Sequence, residues 1–378
     1  MLHGRLISLD AFRGFTIAAM VLVNNPGDWN HLYGPLAHAP WNGWTFTDLI
    51  FPFFLFIAGV SMALSLGRQL DAGAPKGALV AKLAQRALLI FLIGLALNFI
   101  PAFNLDTLRI PGVLQRIALC TLLAAPIAVY LGWRGQLATV AALLAAYTGL
   151  VLLFPVPGIG AGVLEPGMDF GAWIDRMVLD GHMWARSKTW DPEGLVSTLP
   201  AVCSMLAGVL TGRWLATGKP RQVQTLWMLA AGAVFIIAGM FLDTALMPVN
   251  KSLWSTSYVV LTTGYALLAF GGAYWLLDAQ PSLMLRERTR LLARPFLIYG
   301  MNALFIFAFS GLAAKMLGFI KLQQDDGSEL ALGRVLYAPL RDLPVGAVNS
   351  SLLYAILFNA VMFAVAWAMW RKKWFVKV

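Results

Sequence analysis

Ten runs of apolar residues, all but the short first one long enough to cross a lipid bilayer, constrain this chain more than any other feature. They fall at about 9–25, 45–67, 83–100, 112–132, 135–154, 195–215, 225–246, 256–277, 294–317 and 348–370. At 1.5 Å per residue, a helix of about 20 residues spans the roughly 30 Å hydrocarbon core. In lipid every backbone polar group must be satisfied internally, which leaves helices and closed barrels. These runs are too long and too uniformly apolar for barrel strands. The expected fold is all-α, a polytopic transmembrane bundle of about ten helices forming one integral membrane domain over residues 1–378.

Composition agrees. Of the 378 residues, 59% are hydrophobic and only 12% charged, about half the charge of a soluble domain. Net charge is +10. In a soluble protein that excess points to nucleic acid. Here it is expected in cytoplasmic loops, with no nucleic-acid partner. Arg5, Arg68, Lys76, Lys82, Arg134, Arg213, Lys219, Arg221, Arg286, Arg288, Arg290, Arg294 and the tail Arg371, Lys372, Lys373 and Lys377 fall in one alternating set of loops. That set is assigned to the cytoplasm, and both termini with it. The other face carries longer loops at 26–44, 101–111, 155–194, 247–255 and 318–347. Asp10 and Arg13 interrupt the N-terminal segment and no small-residue cleavage site follows, so the first helix is expected to stay.

Several chemistries lack their signatures. There is no P-loop, GxGxxG, HExxH or CxxC. Cys120 and Cys203 sit in apolar runs, and His3, His31, His38 and His182 are too scattered for an obvious metal site, so no metal is expected.

Polar residues near membrane depth are costly and mark function by default. The stretch from Asn24 to Asp48 leaves one span, makes a loop broken by Pro and Gly, and re-enters the membrane. His38 in that loop is able to move a proton or attack an acyl carbon. Its bland alternative is a solvent-bonded loop histidine, and His31 is a nearby competitor. Asp48, one turn into its helix, places a negative charge near the helix N-terminus, and a carboxylate near membrane depth is a functional candidate by default. Asn24 is a candidate donor to a developing oxyanion or an interhelical contact.

Arg109 and Arg116 bracket a helix start, with Gln115 beside them. Buried Arg116 needs a carboxylate, carbonyls or a phosphate, and Asp48 or Glu193 would serve as its ion-pair partner. Asp191 and Glu193 precede another helix, where Asp as N-cap explains the spacing. Asn250, Lys251 and Trp254 lie in a short outer loop, and Asn302 lies inside the ninth run.

The stretches SLDAFRGFTIAAMVLVNNPG and HAPWNGWTFTDLIFPFFLFIAG resemble the heparan-α-glucosaminide N-acetyltransferase family. RIPGVLQR, IDRMVL, DPEGLVSTLPA, PVNKSLWSTSYV, YGMN and the tail WRKKWFVKV continue the resemblance in order over nearly the whole chain. It implies transfer of acetyl from cytoplasmic acetyl-CoA to a glucosamine amine across the membrane, with His38 of the H-A-x-W-N-G motif as the catalytic residue. It also implies a homodimer. The lysosomal members carry an extra N-terminal luminal region and helix. The chain looks like a bacterial relative in the cytoplasmic membrane, for which the expected acceptor is glucosamine, or an amino sugar from peptidoglycan or scavenged glycan, rather than heparan sulfate.

On that footing Asn24 and Asp48 assist His38. Arg109, Gln115, Arg116, Asp191, Glu193, Asn250, Lys251, Trp254 and Asn302 are expected around the sugar. Arg13, Arg86, Lys372 and Lys377 are expected on the phosphates of acetyl-CoA. His38 either deprotonates the sugar amine or carries the acetyl itself. A sugar or ion transporter, and an O-acyltransferase acting on cell-wall polysaccharide, are the alternatives.

Overall fold

A computed structural model describes residues 6–324 and 327–376. Regular structure in the described chain is almost entirely helical. Helix α1 covers Ile7–Val23, α2 Phe46–Asp71, α3 Lys76–Phe99, α4 Val113–Tyr130 and α5 Trp133–Leu153. The short α6 is Phe170–Leu179, followed by α7 Thr198–Leu215, α8 Arg221–Ala245 and α9 Thr256–Tyr274. A π turn extends α9 through Trp275–Ala279. Then come α10 Leu283–Leu292, α11 Arg294–Met301, α12 Ala303–Phe319, α13 Leu332–Arg341 and α14 Ala347–Arg371. Lys321–Gln323 and Glu329–Ala331 pair as a small antiparallel hairpin before α13.

All ten apolar runs are helical. Eight of the helices (α2, α3, α4, α5, α7, α8, α9 with its π turn, and α14) are long and apolar enough to cross a membrane. The ninth run corrects the expectation of a continuous span: α11 and α12 meet at an 82° bend. The break falls at Asn302, whose φ of −128° and ψ of 36° leave the helical region. Gly300, just before it, lies so close to α1 that a Cβ there would sit 2.1 Å from the Asp10 carbonyl oxygen. At 17 residues α1 is short for a span, and most of it is enclosed by its neighbours.

Small residues set the closest helix crossings, as is usual where lipid supplies no hydrophobic drive between helices. A Cβ on Gly59 of α2 would lie 2.0 Å from the Met205 carbonyl oxygen of α7, and one on Gly208 would lie 1.9 Å from that of Phe56. The buried centre is α1, α2, α4, α7 and α9, rich in Ile17, Leu55, Val60, Leu206 and Val209. Helices α3, α5, α8 and α14 bury about a fifth of their most apolar window. They form the outer ring.

The two ends of the bundle are chemically distinct. At one end the predicted outer loops interlock. Asn42 bridges to Asn250, and the Gly43 N–H donates to the Val249 carbonyl at 2.7 Å. Trp41 Nε1 reaches the Leu164 carbonyl at 2.8 Å, and Ile110 N–H the His182 carbonyl at 2.9 Å. Asp28 N–H donates to Ser351 Oγ at 3.0 Å. At the other end lie both described termini. Asp278, 3% exposed, accepts the backbone N–H of Ile7 and Ser8 at 3.2 and 2.9 Å, and so caps α1 from the far side of the sequence. Basic residues there bind helix C-terminal carbonyls, the favoured place for cations: Arg213 those of Ala128 and Leu131, and Arg221 that of Asp278.

Candidate active site

The loop end holds a cluster around His38. Thr45 precedes α2, and Asp48 at the third helical position accepts the Thr45 N–H at 3.0 Å, the reciprocal half of a capping box. The same carboxylate accepts the Ala39 N–H at 3.0 Å and meets His38 Nδ1 at 2.6 Å. Asp48 is 1% exposed while the His38 side chain is 44% exposed. A carboxylate only accepts, so Nδ1 carries the hydrogen, and in the neutral ring it is Nε2 that keeps the lone pair. The Asp48 backbone carbonyl is held by Tyr258 Oη at 2.5 Å. The orienting pair expected from sequence is present as geometry.

Lys251 comes to the same place from a loop 213 residues away: Nζ is 3.0 Å from His38 Nδ1 and 3.3 Å from Nε2. It is 3.7 Å from Asp48 Oδ1. Burial lowers the Lys251 pKa from the ordinary lysine value, with the Asp48 and Glu193 charges opposing. Asn250, fully buried, shapes this loop: its Nδ2 donates to Asn42 Oδ1 at 3.1 Å and its Oδ1 accepts the Leu253 N–H at 2.9 Å. With donor and acceptor both engaged, Asn250 positions Lys251 rather than facing open space.

Arg109 organises a second group. Its guanidinium grips Asp191 with two bonds, 2.8 and 2.6 Å, and reaches Glu193 Oε2 at 2.6 Å. Burial opposes the charge on Arg109, but the hydrogen bonds and charges of the two carboxylates together overcome it and raise its pKa. Asp191 also accepts the N–H of Trp184 and of Glu193, both at 2.9 Å. The N-cap reading of Asp191 is therefore corrected: α7 starts at Thr198 with Ser197 before it, and Asp191 closes a turn upstream. The residue is needed there because only a carboxylate accepts a fork of this kind twice over.

Arg116, 1% exposed, takes neither expected ion-pair partner. Its Nη2 donates to the Gly194 carbonyl at 2.8 Å and Ser197 Oγ at 2.6 Å, and its plane lies 5.3 Å from the Trp254 ring. Glu193 is held by Arg109 instead. Trp254, also 1% exposed, donates Nε1 to Ser204 Oγ at 3.1 Å and sits at φ +54°, a rare value for a non-glycine residue. Gln115 is buried nearby, against Gly94 and Gly112. Asp175, which sequence reasoning did not single out, accepts the Leu195 N–H at 2.9 Å, and burial pushes its pKa up to about 6. Its only sequence signal was its place in IDRMVL.

Other expected residues lie elsewhere. Asn24 ends α1 with an exposed side chain that makes no hydrogen bond among the described residues. Asn302 is at the opposite end of the bundle, donating to the Trp374 carbonyl at 3.0 Å and accepting the Val376 N–H at 2.9 Å. Arg13 bonds Ser61 Oγ at 2.7 Å, Arg86 is exposed on α3, and Lys372 stacks 4.8 Å from the Trp374 ring. Lys377 lies outside the described residues. A larger apolar cavity of about 510 Å³ between α7, α8 and α9 is lined by Trp214, Lys219, Trp227 and Phe235, and by none of the His38 group.

Residues 5–239 match the sequence model of a family described as heparan-alpha-glucosaminide N-acetyltransferase, catalytic. The chain belongs to that family. The human heparan-alpha-glucosaminide N-acetyltransferase is 30% identical over 80% of this chain and 52% of its own length. The mouse protein of the same name is 28% identical, over 80% of this chain and 53% of its own. The chain thus spans about half the length of the curated relatives it matches. The matched segment of the catalytic family model holds His38, Asp48, Arg109, Arg116, Asp191 and Glu193. Lys251 and the rest of its loop lie beyond it.

Proposed function

We propose that this integral membrane protein transfers acetyl from acetyl-CoA to the amino group of a glucosamine-type sugar, with the donor entering from the cytoplasmic tail end and the acceptor bound at the loop end. The observation that carries the reading is the His38–Asp48 pair with its Nε2 lone pair, at the end where the outer loops converge, in a chain of this family. A bacterial cytoplasmic membrane is the setting that the resemblance implies.

The chemistry needs little more. The sugar amine, in its free-base form, attacks the thioester carbonyl. As the carbon–nitrogen bond forms, Nε2 takes the proton that nitrogen loses, while Asp48 steadies the imidazolium. The carbon–sulfur bond then breaks, and the thiolate takes that proton to leave as free CoA. The Arg109–Asp191–Glu193 cluster and the Arg116–Trp254 wall give the site a rigid floor. A covalent route, with acetyl held on Nε2 between two half-reactions, uses the same pair.

Transport was the reading that broken helices would favour, and α11–α12 is broken. That break is closed by the chain itself, because the tail satisfies both ends of the Asn302 amide. Acetyl transfer is therefore preferred.

The test is purified protein in detergent with acetyl-CoA and glucosamine, followed by mass spectrometry. Formation of N-acetylglucosamine at a rate above the uncatalysed background is expected. An ester product on a hydroxyl acceptor, with no amide on glucosamine, would move the protein to the O-acyltransferase class.

A further inference from the structure

His38 and Asp48 supply a base and its orienter, but a thioester under attack also develops a negative oxygen that needs a donor. Asn24 was the sequence candidate, and its exposed side chain makes no bond to the His38 group. Lys251 is placed for that task. Its Nζ lies almost equally far, 3.0 and 3.3 Å, from the two ring nitrogens of His38. A position of that kind in the ring plane would overlap the intervening Cε1, so the ammonium sits over the ring face. It leaves the Nε2 lone pair clear and borders whatever Nε2 touches.

The mount is rigid, which is what electrostatic catalysis requires. Asn250 on one side is fully buried and hydrogen-bonded across to Asn42, and Trp254 on the other is 1% exposed. The lysine side chain itself keeps 22% exposure, so the site stays reachable.

We infer that Lys251 is a catalytic residue of this site, whose ammonium donates to the acetyl oxygen as it becomes negative. The inference rests on the acetyl-transfer reading above. In the step, the carbon–nitrogen bond forms and the carbonyl π pair moves onto oxygen, where Nζ–H donates without giving up its proton. The π bond re-forms as the carbon–sulfur bond breaks.

Three ionisable groups face Lys251: His38 from the loop before α2, Asp48 from α2 and Glu193 from the turn before α7. The two acids favour the charged amine, but burial outweighs them and lowers its pKa. The ammonium is therefore lost, as pH rises, earlier than the ordinary lysine value of about 10. An alkaline fall in kcat should follow.

Steady-state kinetics across pH on wild type, Lys251→Met and Lys251→Arg test this. The Met variant should lose about 10²–10³-fold in kcat, as when an oxyanion donor is removed, with both KM values little changed. The Arg variant should retain part of that rate and carry its alkaline fall to higher pH, since a guanidinium stays charged. A Met variant with unchanged kcat and a raised sugar KM would overturn the inference and leave Lys251 a sugar contact. An Arg variant with the wild-type alkaline limb would overturn it too. Both leave the acetyl-transfer reading standing, whereas an inactive wild type would remove that reading and the inference with it.

Discussion

Replacing His38 by alanine is expected to lower kcat for acetyl transfer by about 10³-fold or more, whichever route the acetyl takes. Asp48 is buried behind the imidazole and Lys251 is a donor, so neither replaces the lost Nε2. The fold should survive, because the His38 side chain is 44% exposed and Asp48 keeps the Ala39 and Thr45 N–H groups and its 3.7 Å pairing with Lys251. Sugar KM should change little. The assay is product formation by purified variant and wild type, with size-exclusion profiles showing that both are folded. A variant within about tenfold of wild type would place the base elsewhere. His31, whose Nδ1 meets Asp28 at 2.6 Å on the same face, would be the first residue to examine.

Arg109→Ala should produce the largest loss of stability. It removes the only hydrogen-bonded cation, among the described residues, from two carboxylates whose side chains are 0% and 10% exposed. Breaking a buried ion set by taking away one partner costs about 3–5 kcal/mol, because charge is left behind without compensation. The apparent melting temperature in detergent should fall by more than about 6 °C, or folded protein should fail to accumulate. Arg109→Lys should rescue only in part, since an ammonium does not reproduce the planar fork. Removing the charges together, with Arg109→Met, Asp191→Asn and Glu193→Gln, should restore much of the loss. A melting temperature for Arg109→Ala equal to wild type would mean that the acids are solvated and that this cluster does not hold the site.

Which parts of this were legible beforehand follows from the range of the interactions. Apolar runs report local burial in lipid, so the eight helices long and apolar enough to cross a membrane could be read from the residues in them. The His38–Asp48 pair is 10 residues apart and anchored by a Thr45–Asp48 capping pattern, which is itself a local signal. Arg109 and Asp191 are 82 residues apart, and Lys251 and His38 are 213 apart. Nothing in the separate segments says which acid meets which base. For that reason the sequence offers Arg116 either Asp48 or Glu193, the acids that His38 and Arg109 hold. Asp278 was invisible for the same cause, since it caps α1 from 270 residues away. The bend at Asn302 contains no proline. It arises where Gly300 packs against α1 and the tail supplies the amide's partners, and neither contact is written in the run itself.

The proposed function joins two sides of a membrane, and vesicles test that most directly. Protein reconstituted in sealed liposomes is supplied with acetyl-CoA outside and glucosamine only inside, and the lumen is assayed for N-acetylglucosamine. For molecules inserted with the tail end outward, the account predicts product in the lumen, free CoA outside, and neither with His38→Ala. N-acetylglucosamine formed only when donor and acceptor share one compartment would contradict it.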